Sequence, residues 1–179
     1  MTSSASNSTS AKDEDTNNQQ PVTRQGKCYC GKVSISVTGP PVMCSICHCS
    51  ICRSLTGAPF SAQSLHARSN MECNTPEDAL WAQSTSKPVT RYRCRECASP
   101  MYASLGKGKM VAIPLSVLFR RGMDENPTSD DLAESDAALF QPTHHMYYAD
   151  RIMNVPDELP KYVGTSAPGR GVLWTPKEE

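Results

Sequence analysis

Gly26-Lys27-Cys28-Tyr29-Cys30-Gly31-Lys32-Val33-Ser34-Ile35-Ser36-Val37-Thr38 is the stretch on which the fold class turns. From Lys32 onward polar and apolar residues alternate with period two, and Gly39-Pro40-Pro41 closes the run. The segment therefore reads as a half-buried strand that follows a cysteine turn. The arrangement recurs in reverse further on. Val89, Arg91 and Arg93 fall on one strand face, Thr90, Tyr92 and Cys94 on the other, and the strand runs into Cys94-Arg95-Glu96-Cys97.

Working outward, Met110 to Leu118 is a third apolar stretch, broken by Pro114, and Tyr147 with Tyr148 marks a short strand after His144 and His145 that Pro156 to Pro160 ends. Helix signal is scarce. Its best candidate is Ser129 to Phe140, with Ser129 as cap, Asp130 and Asp131 at the positive end of the dipole, and Leu132, Leu139 and Phe140 on an apolar face. Fourteen Pro and ten Gly point to many short strands joined by turns. Residues 1–25 hold fifteen Ser, Thr, Asn or Gln, and are read as a disordered polar tail. The domain then spans residues 26–165, and residues 166–179 form a loose C-terminal tail from which Val172 to Trp174 can dock back.

Composition says what must hold this domain. At 179 residues the chain suffices for one domain, yet Leu, Ile, Val and Phe number only 28. Charge does not explain the thin core, because 18 basic and 18 acidic residues balance to zero. That balance also argues against nucleic-acid binding by bulk charge. The unusual count is nine Cys, of which all but Cys73 cluster. The polar start has no secretory apolar run, and no stretch approaches the ~18 apolar residues of a membrane span. The expected location is cytoplasmic, with the nucleus an open alternative. Thiols there stay reduced, and Cys28 with Cys30 or Cys47 with Cys49 stand too close for an easy bridge, so metal binding is the better reading.

Cys28 and Cys30, with Cys94 and Cys97, give two turns that each deliver two thiolates. Together they can enclose one zinc tetrahedrally as a closed, structural site. Such a site replaces missing core, since its binding free energy, on the order of 10 kcal/mol, is folding free energy. The competing reading, a redox Cys94-x-x-Cys97, lacks the βαβ context that it needs. Cys47-His48-Cys49-Ser50-Ile51-Cys52-Arg53 is the second constellation. Three thiolates on one metal leave a position open for chemistry, whereas a fourth from Cys44 would close the site, and spacing alone satisfies both. His48 lies between inward-pointing neighbours, so its ring is expected to face solvent or substrate.

Together, Gly26 to Val33, Cys47 to Arg53, Gly57-Ala58-Pro59-Phe60 and Cys94 to Cys97 resemble the signature series of the glutathione-dependent formaldehyde-activating enzyme and centromere protein V family. His145-Met146-Tyr147-Tyr148 and Val155 to Pro160 resemble its C-terminal segment, so the likeness runs over about residues 24–163. The resemblance implies a mainly β, zinc-stabilised fold of several short antiparallel sheets with little helix. It implies two zinc ions per chain: a structural one on Cys28, Cys30, Cys94 and Cys97, and a catalytic one on Cys47, Cys49 and Cys52 with an open position. Cys44 lies outside the motif. The implied activity is that of a carbon-sulfur lyase of the S-(hydroxymethyl)glutathione synthase type, acting on a thiol such as glutathione and on formaldehyde or a related aldehyde.

Glutathione carries two carboxylates, for which Arg53 is the leading partner, with Arg91 and Arg93 read as surface arginines. His144 and His145 are read as structural or surface residues. The alternative is a non-catalytic zinc-stabilised binding module of the centromere protein V kind. Against it, the N-terminal segment sets Lys12 and Arg24 against Asp13, Glu14 and Asp15 rather than forming a basic arm. No membrane partner is expected, and the sequence does not fix an oligomeric state. Two positions depart from the family pattern. Ala98 stands where Gly is usual, and Ile152-Met153-Asn154 lacks a usual Trp.

Overall fold

The structure, a computed structural model, describes residues 22–119, 138–165 and 171–176. The strands are β1 (Thr23–Lys27), β2 (Ser34–Thr38), β3 (Met43–Cys47), β4 (Ser61–Ala67), β5 (Met71–Cys73), β6 (Leu80–Ser86), β7 (Val89–Cys94), β8 (Pro100–Leu105), β9 (Met110–Pro114) and β10 (His145–Met146). Among the described residues, two short helices, α1 (Ser50–Thr56) and α2 (Leu115–Leu118), accompany the strands, with single 3-10 turns and a helical pair at residues 138–139. Among the described residues the strands form a three-stranded sheet, β1-β2-β5, and a seven-stranded sheet, β10-β3-β4-β9-β8-β7-β6. Every pairing is antiparallel except that of β10 with β3. The fold is mainly β with little helix, as the sequence predicts.

One core serves both sheets. Val33, Ile35, Val37 and Met71 from the small sheet pack with Leu80, Met101, Val111 and Ile113 from the large one, and with Val117 and Leu118 of α2. Gly26 lets α2 come this close, since a Cβ there would lie 2.9 Å from Val117 Cγ1 and 3.1 Å from Ile35 Cγ1. β2 is covered more fully than alternation suggests. Ser36 is buried beside Ile35 and Val37, because β2 is the middle strand of its sheet.

Register sorts the large sheet into two faces, since residues paired across antiparallel strands stand on the same side. Cys44 pairs with Ser64, and Ser64 with Ile113, which places Cys44 on the core face. Cys47, three residues on, falls on the opposite, outer face with Ser61 and Gln63. Leu65 pairs with Ala112, Ala112 with Ala103 and Ala103 with Arg91, which continues that outer face to β7. Two residues, His48 and Cys49, separate β3 from α1, which lies against β4.

Several boundaries differ from expectation. β1 begins at Thr23, so residues 23–25 belong to the sheet rather than to the polar tail, because pairing with β2 supplies hydrogen bonds that composition does not reveal. The short strand near residue 147 is His145–Met146, and Tyr147 turns out of it in a left-handed conformation (φ 54°). Ser129 to Ala137, most of the expected helix, lies outside the described residues. Val172 to Trp174 does dock back: Val163 N–H donates to Val172 O at 2.8 Å and Trp174 N–H to Lys161 O at 2.7 Å. No helix among the described residues is long and apolar enough to cross a membrane.

Candidate metal centre and adjoining cleft

Two thiol clusters form: the first has the membership that spacing suggested, and the second has the three members that the family resemblance implied, without Cys44. Cys28, Cys30, Cys94 and Cys97 have all their sulfurs within 4.8 Å of one another. The Cys28–Cys30 and Cys30–Cys94 sulfur separations are 3.5 and 3.7 Å, close to the edge of about 3.8 Å that a zinc tetrahedron with bonds near 2.3 Å requires. Main-chain and hydroxyl groups already address the sulfurs: Val33 N–H donates to Cys28 Sγ at 3.2 Å, and Ser99 Oγ stands 3.2 Å from Cys97 Sγ. Each turn ends on a left-handed residue, Gly31 at φ 79° in the first and Ala98 at φ 58° in the second. The usual Gly thus has a physical reason at position 98, where the Ala Cβ carries a cost of about 1–2 kcal/mol. The cluster ties the end of β1 to the end of β7, that is, the small sheet to the large one.

The second cluster holds three sulfurs, those of Cys47, Cys49 and Cys52, again within 4.8 Å of one another. Cys47 ends β3, Cys49 caps α1 and Cys52 lies in its first turn. The Cys49 sulfur accepts the Cys52 N–H at 3.3 Å, and Gly57 (φ 67°) ends the helix. This helix is not among the elements expected from the sequence. The signals were present: a polarisable acceptor at the cap and a glycine one residue past the end.

Cys44 stays outside, on the other sheet face, its sulfur 3.9 Å from Leu139 O, and burial pushes its thiol pKa up to about 11. Within the trio, donation from Cys47 and then Cys52 holds the Cys49 thiol down to about 2, while Cys47, as donor to Cys49 and Cys52 and by burial, is pushed far up. Three thiols this close together, two of them buried, therefore ionise together only if a cation compensates them. Both donor sets, soft sulfurs with N–H groups directed at them, fit zinc.

A cleft opens on the outer sheet face beside Cys52, lined also by Leu55, Gln63, Arg91, Arg93 and Ala112. Small residues, Ala103 paired with Ala112, leave room for it. Arg91 and Arg93 are half-buried here, not the surface arginines the sequence suggests. The Arg91 guanidinium donates to Cys52 Sγ at 3.7 Å and also bonds Thr85 Oγ1, while Arg93 donates to Leu55 O at 2.6 Å. Arg53 is placed otherwise: its Nε donates to His48 O at 3.0 Å, bracing the turn between the cysteines, and it does not line the cleft.

His48 departs from expectation most. It is fully buried, behind the cysteines rather than toward solvent, because β10 covers β3 and accepts His48 N–H at Met146 O (3.0 Å). Its Nε2 lies 2.8 Å from His145 Nδ1, His145 Nε2 lies 2.9 Å from Asp157 Oδ2, and Lys161 Nζ donates to Asp157 Oδ1 at 2.7 Å. Burial, then the charges of His145, Arg151 and Arg53, lower the His48 pKa to about 4. Burial pushes Asp157 up, but hydrogen bonds from Lys161 and His145 outweigh it and leave the carboxyl below its usual range. Tyr148, edge-on to both imidazoles at 5.0 and 5.4 Å, packs in turn on Trp174 at 5.1 Å. The sequence marks these residues only as a His pair and a Pro-rich stretch. Their assembly depends on β10, which pairs in parallel with β3.

The profile of the glutathione-dependent formaldehyde-activating enzymes matches residues 23–149, which takes in both cysteine clusters and the cleft. The chain belongs to this family. Among solved structures, the crystal structure of a Rhodobacter sphaeroides protein is similar, with 18% identity and a TM-score of 0.46, over 56% of this chain and 91% of that one. No curated protein matches the chain. Membership in the formaldehyde-activating family brings, at the level of the family, a formaldehyde-activating function with glutathione as the thiol partner. The match ends at residue 149, so Asp157 and Lys161 lie beyond it.

Proposed function

We propose that this protein is a zinc-dependent carbon-sulfur lyase of the S-(hydroxymethyl)glutathione synthase type. On this reading Cys28, Cys30, Cys94 and Cys97 hold a structural zinc, and Cys47, Cys49 and Cys52 hold a catalytic one. One observation carries the reading: three sulfurs converge beside a cleft that two arginines line, while the fourth nearby thiol, Cys44, is turned to the core.

The addition forms one carbon–sulfur bond, opens the carbonyl π bond of formaldehyde, and moves a proton from the thiol sulfur to the carbonyl oxygen. When bound at the three-thiol site, zinc supplies thiol activation by coordination, more than carbonyl activation, because three thiolates leave the centre at net −1. The chain's own residues do the rest. Arg91 and Arg93 draw the anionic thiol into the cleft and hold a carboxylate, for which the planar guanidinium is suited. Arg53, the carboxylate partner favoured by sequence, braces His48 O instead. Ala103 and Ala112 keep the cleft floor low enough for a small adduct.

The reaction also proceeds without catalyst, so exchange-NMR rates between formaldehyde and glutathione, with and without zinc-loaded protein, are the test. Acceleration at catalytic protein concentration, greater for glutathione than for a thiol lacking its carboxylates, is the expected result. An unchanged rate with every thiol tried overturns the reading.

A further inference from the structure

The chemistry above activates the sulfur and holds the carboxylates, but gives the carbonyl oxygen of formaldehyde no partner. We infer that Ser61 and Gln63, on the outer face of β4, are catalytic residues that donate hydrogen bonds to that oxygen as it gains negative charge. This inference rests on the reading of the three-thiol cluster as the reaction centre.

Register puts both residues beside the sulfurs. Ser61 pairs directly with Cys47, and residues so paired stand on one face with their Cβ atoms about 5 Å apart. Gln63, two residues on, shares that face, and both line the cleft with Cys52. Strand order then divides the cleft. Ser61 and Gln63 stand on β4, Ala112 and Ala103 form an apolar floor on β9 and β8, and Arg91 and Arg93 rise from β7. Three strand spacings of about 4.8 Å each separate the neutral side from the strand that carries the cations. In the adduct the oxygen is one carbon removed from the sulfur, so it comes to rest on the neutral side by the cluster, while the carboxylates lie at the far ends of glutathione.

Donor capacity decides among the polar groups there. Thr56 Oγ1 is engaged with Cys52 O at 2.8 Å, Arg93 with Leu55 O at 2.6 Å, and Arg91 with Cys52 Sγ at 3.7 Å and with Thr85 Oγ1. The Ser61 hydroxyl and the Gln63 amide make no hydrogen bond to another described residue, and both residues are half-buried. Neutral donors held on a strand suit an oxygen whose charge appears only during the reaction. In that step the sulfur lone pair forms the carbon–sulfur bond and the carbonyl π pair moves to the oxygen beside the two donors. The oxygen then takes from water the proton that the thiol has released to solvent.

S-acetylglutathione is the probe, because it carries a carbonyl oxygen one carbon from the glutathione sulfur and has no free thiol. Difference infrared spectra of its 13C-labelled carbonyl on the zinc-loaded full chain are expected to show the stretch moved to lower wavenumber on binding. Ser61→Ala or Gln63→Met should return it part of the way to its free value, and the double variant all of the way. In exchange NMR each single variant should lower the saturated catalysed rate about 10- to 100-fold, the range for a hydrogen bond to a charged group, with KM for glutathione and the melting temperature nearly unchanged. A wild type that leaves the carbonyl unshifted, or does not bind the probe, overturns the inference, and that measurement decides even if a variant does not fold. A shift that survives in the folded double variant overturns it as well. So does a raised KM for glutathione with the saturated rate kept, which makes these residues peptide contacts. The infrared readout needs no turnover, so a wild type that shifts the carbonyl yet does not accelerate exchange sinks the proposed function and leaves the oxygen site standing, while acceleration with an unshifted carbonyl does the reverse.

Discussion

The two cysteine clusters are built from the same side chain and differ in what surrounds them. The four-thiol cluster lies where the ends of β1 and β7 meet, in different sheets and more than sixty residues apart, and brings its four sulfurs within 4.8 Å of one another. The three-thiol cluster is local, six residues from one strand end into one helix, on the outer sheet face beside a cleft with arginines. Closing a long loop against a thin core stabilises a fold, whereas a short loop at an open face gains little stability and is free to do chemistry. Number and placement of ligands, not ligand type, make that distinction.

Breaking the first cluster should have the largest effect. Cys94→Ser is expected to cost several kcal/mol, of the order of the whole stability of a domain this size, and to abolish the cooperative thermal transition seen by circular dichroism. Arg91→Leu sharpens the other side of the comparison. With its guanidinium gone from beside Cys52 Sγ, KM for glutathione should rise about 10- to 100-fold, the range for a hydrogen bond to a charged group, with the melting temperature nearly unchanged. Arg91→Lys should restore only part, because an ammonium does not reproduce the planar fork.

Packing next to the staple gives smaller effects. Gly26→Ala places a Cβ 2.9 Å from Val117 Cγ1 and should destabilise by about 1–3 kcal/mol in denaturant unfolding, without changing zinc content. Ala98→Gly should act in the opposite direction. Relief of the left-handed strain, less the added freedom of glycine in the unfolded chain, leaves a gain of about 0.5–1 kcal/mol, a rise of roughly 2–4 °C in melting temperature.

What could be read from sequence followed from local rules. The alternation in Lys32 to Thr38 and the paired spacing of Cys28/Cys30 and Cys94/Cys97 carry the first sheet and the staple, because strand faces and zinc geometry are short-range constraints. Cys44 could not be placed by spacing. Its exclusion follows from a three-residue offset on β3 once that segment is known to be a strand. His48 was misread for the opposite reason, since its burial is imposed by β10, a two-residue strand nearly a hundred positions away, and no local pattern announces that contact. Arg91 and Arg93 were assigned to one strand face correctly. That the face is covered by α1 depends on a helix whose only sequence signals are Cys49 and Gly57.

The division of labour between the clusters is tested most directly by Cys49→Ser, assayed by formaldehyde–glutathione exchange NMR alongside zinc content and thermal unfolding. The expected outcome is an exchange rate no faster than the spontaneous one, with one zinc per chain retained and the cooperative transition preserved. Full acceleration by Cys49→Ser would contradict the assignment of chemistry to the three-thiol cluster, and loss of the folded state would contradict its separation from the structural one.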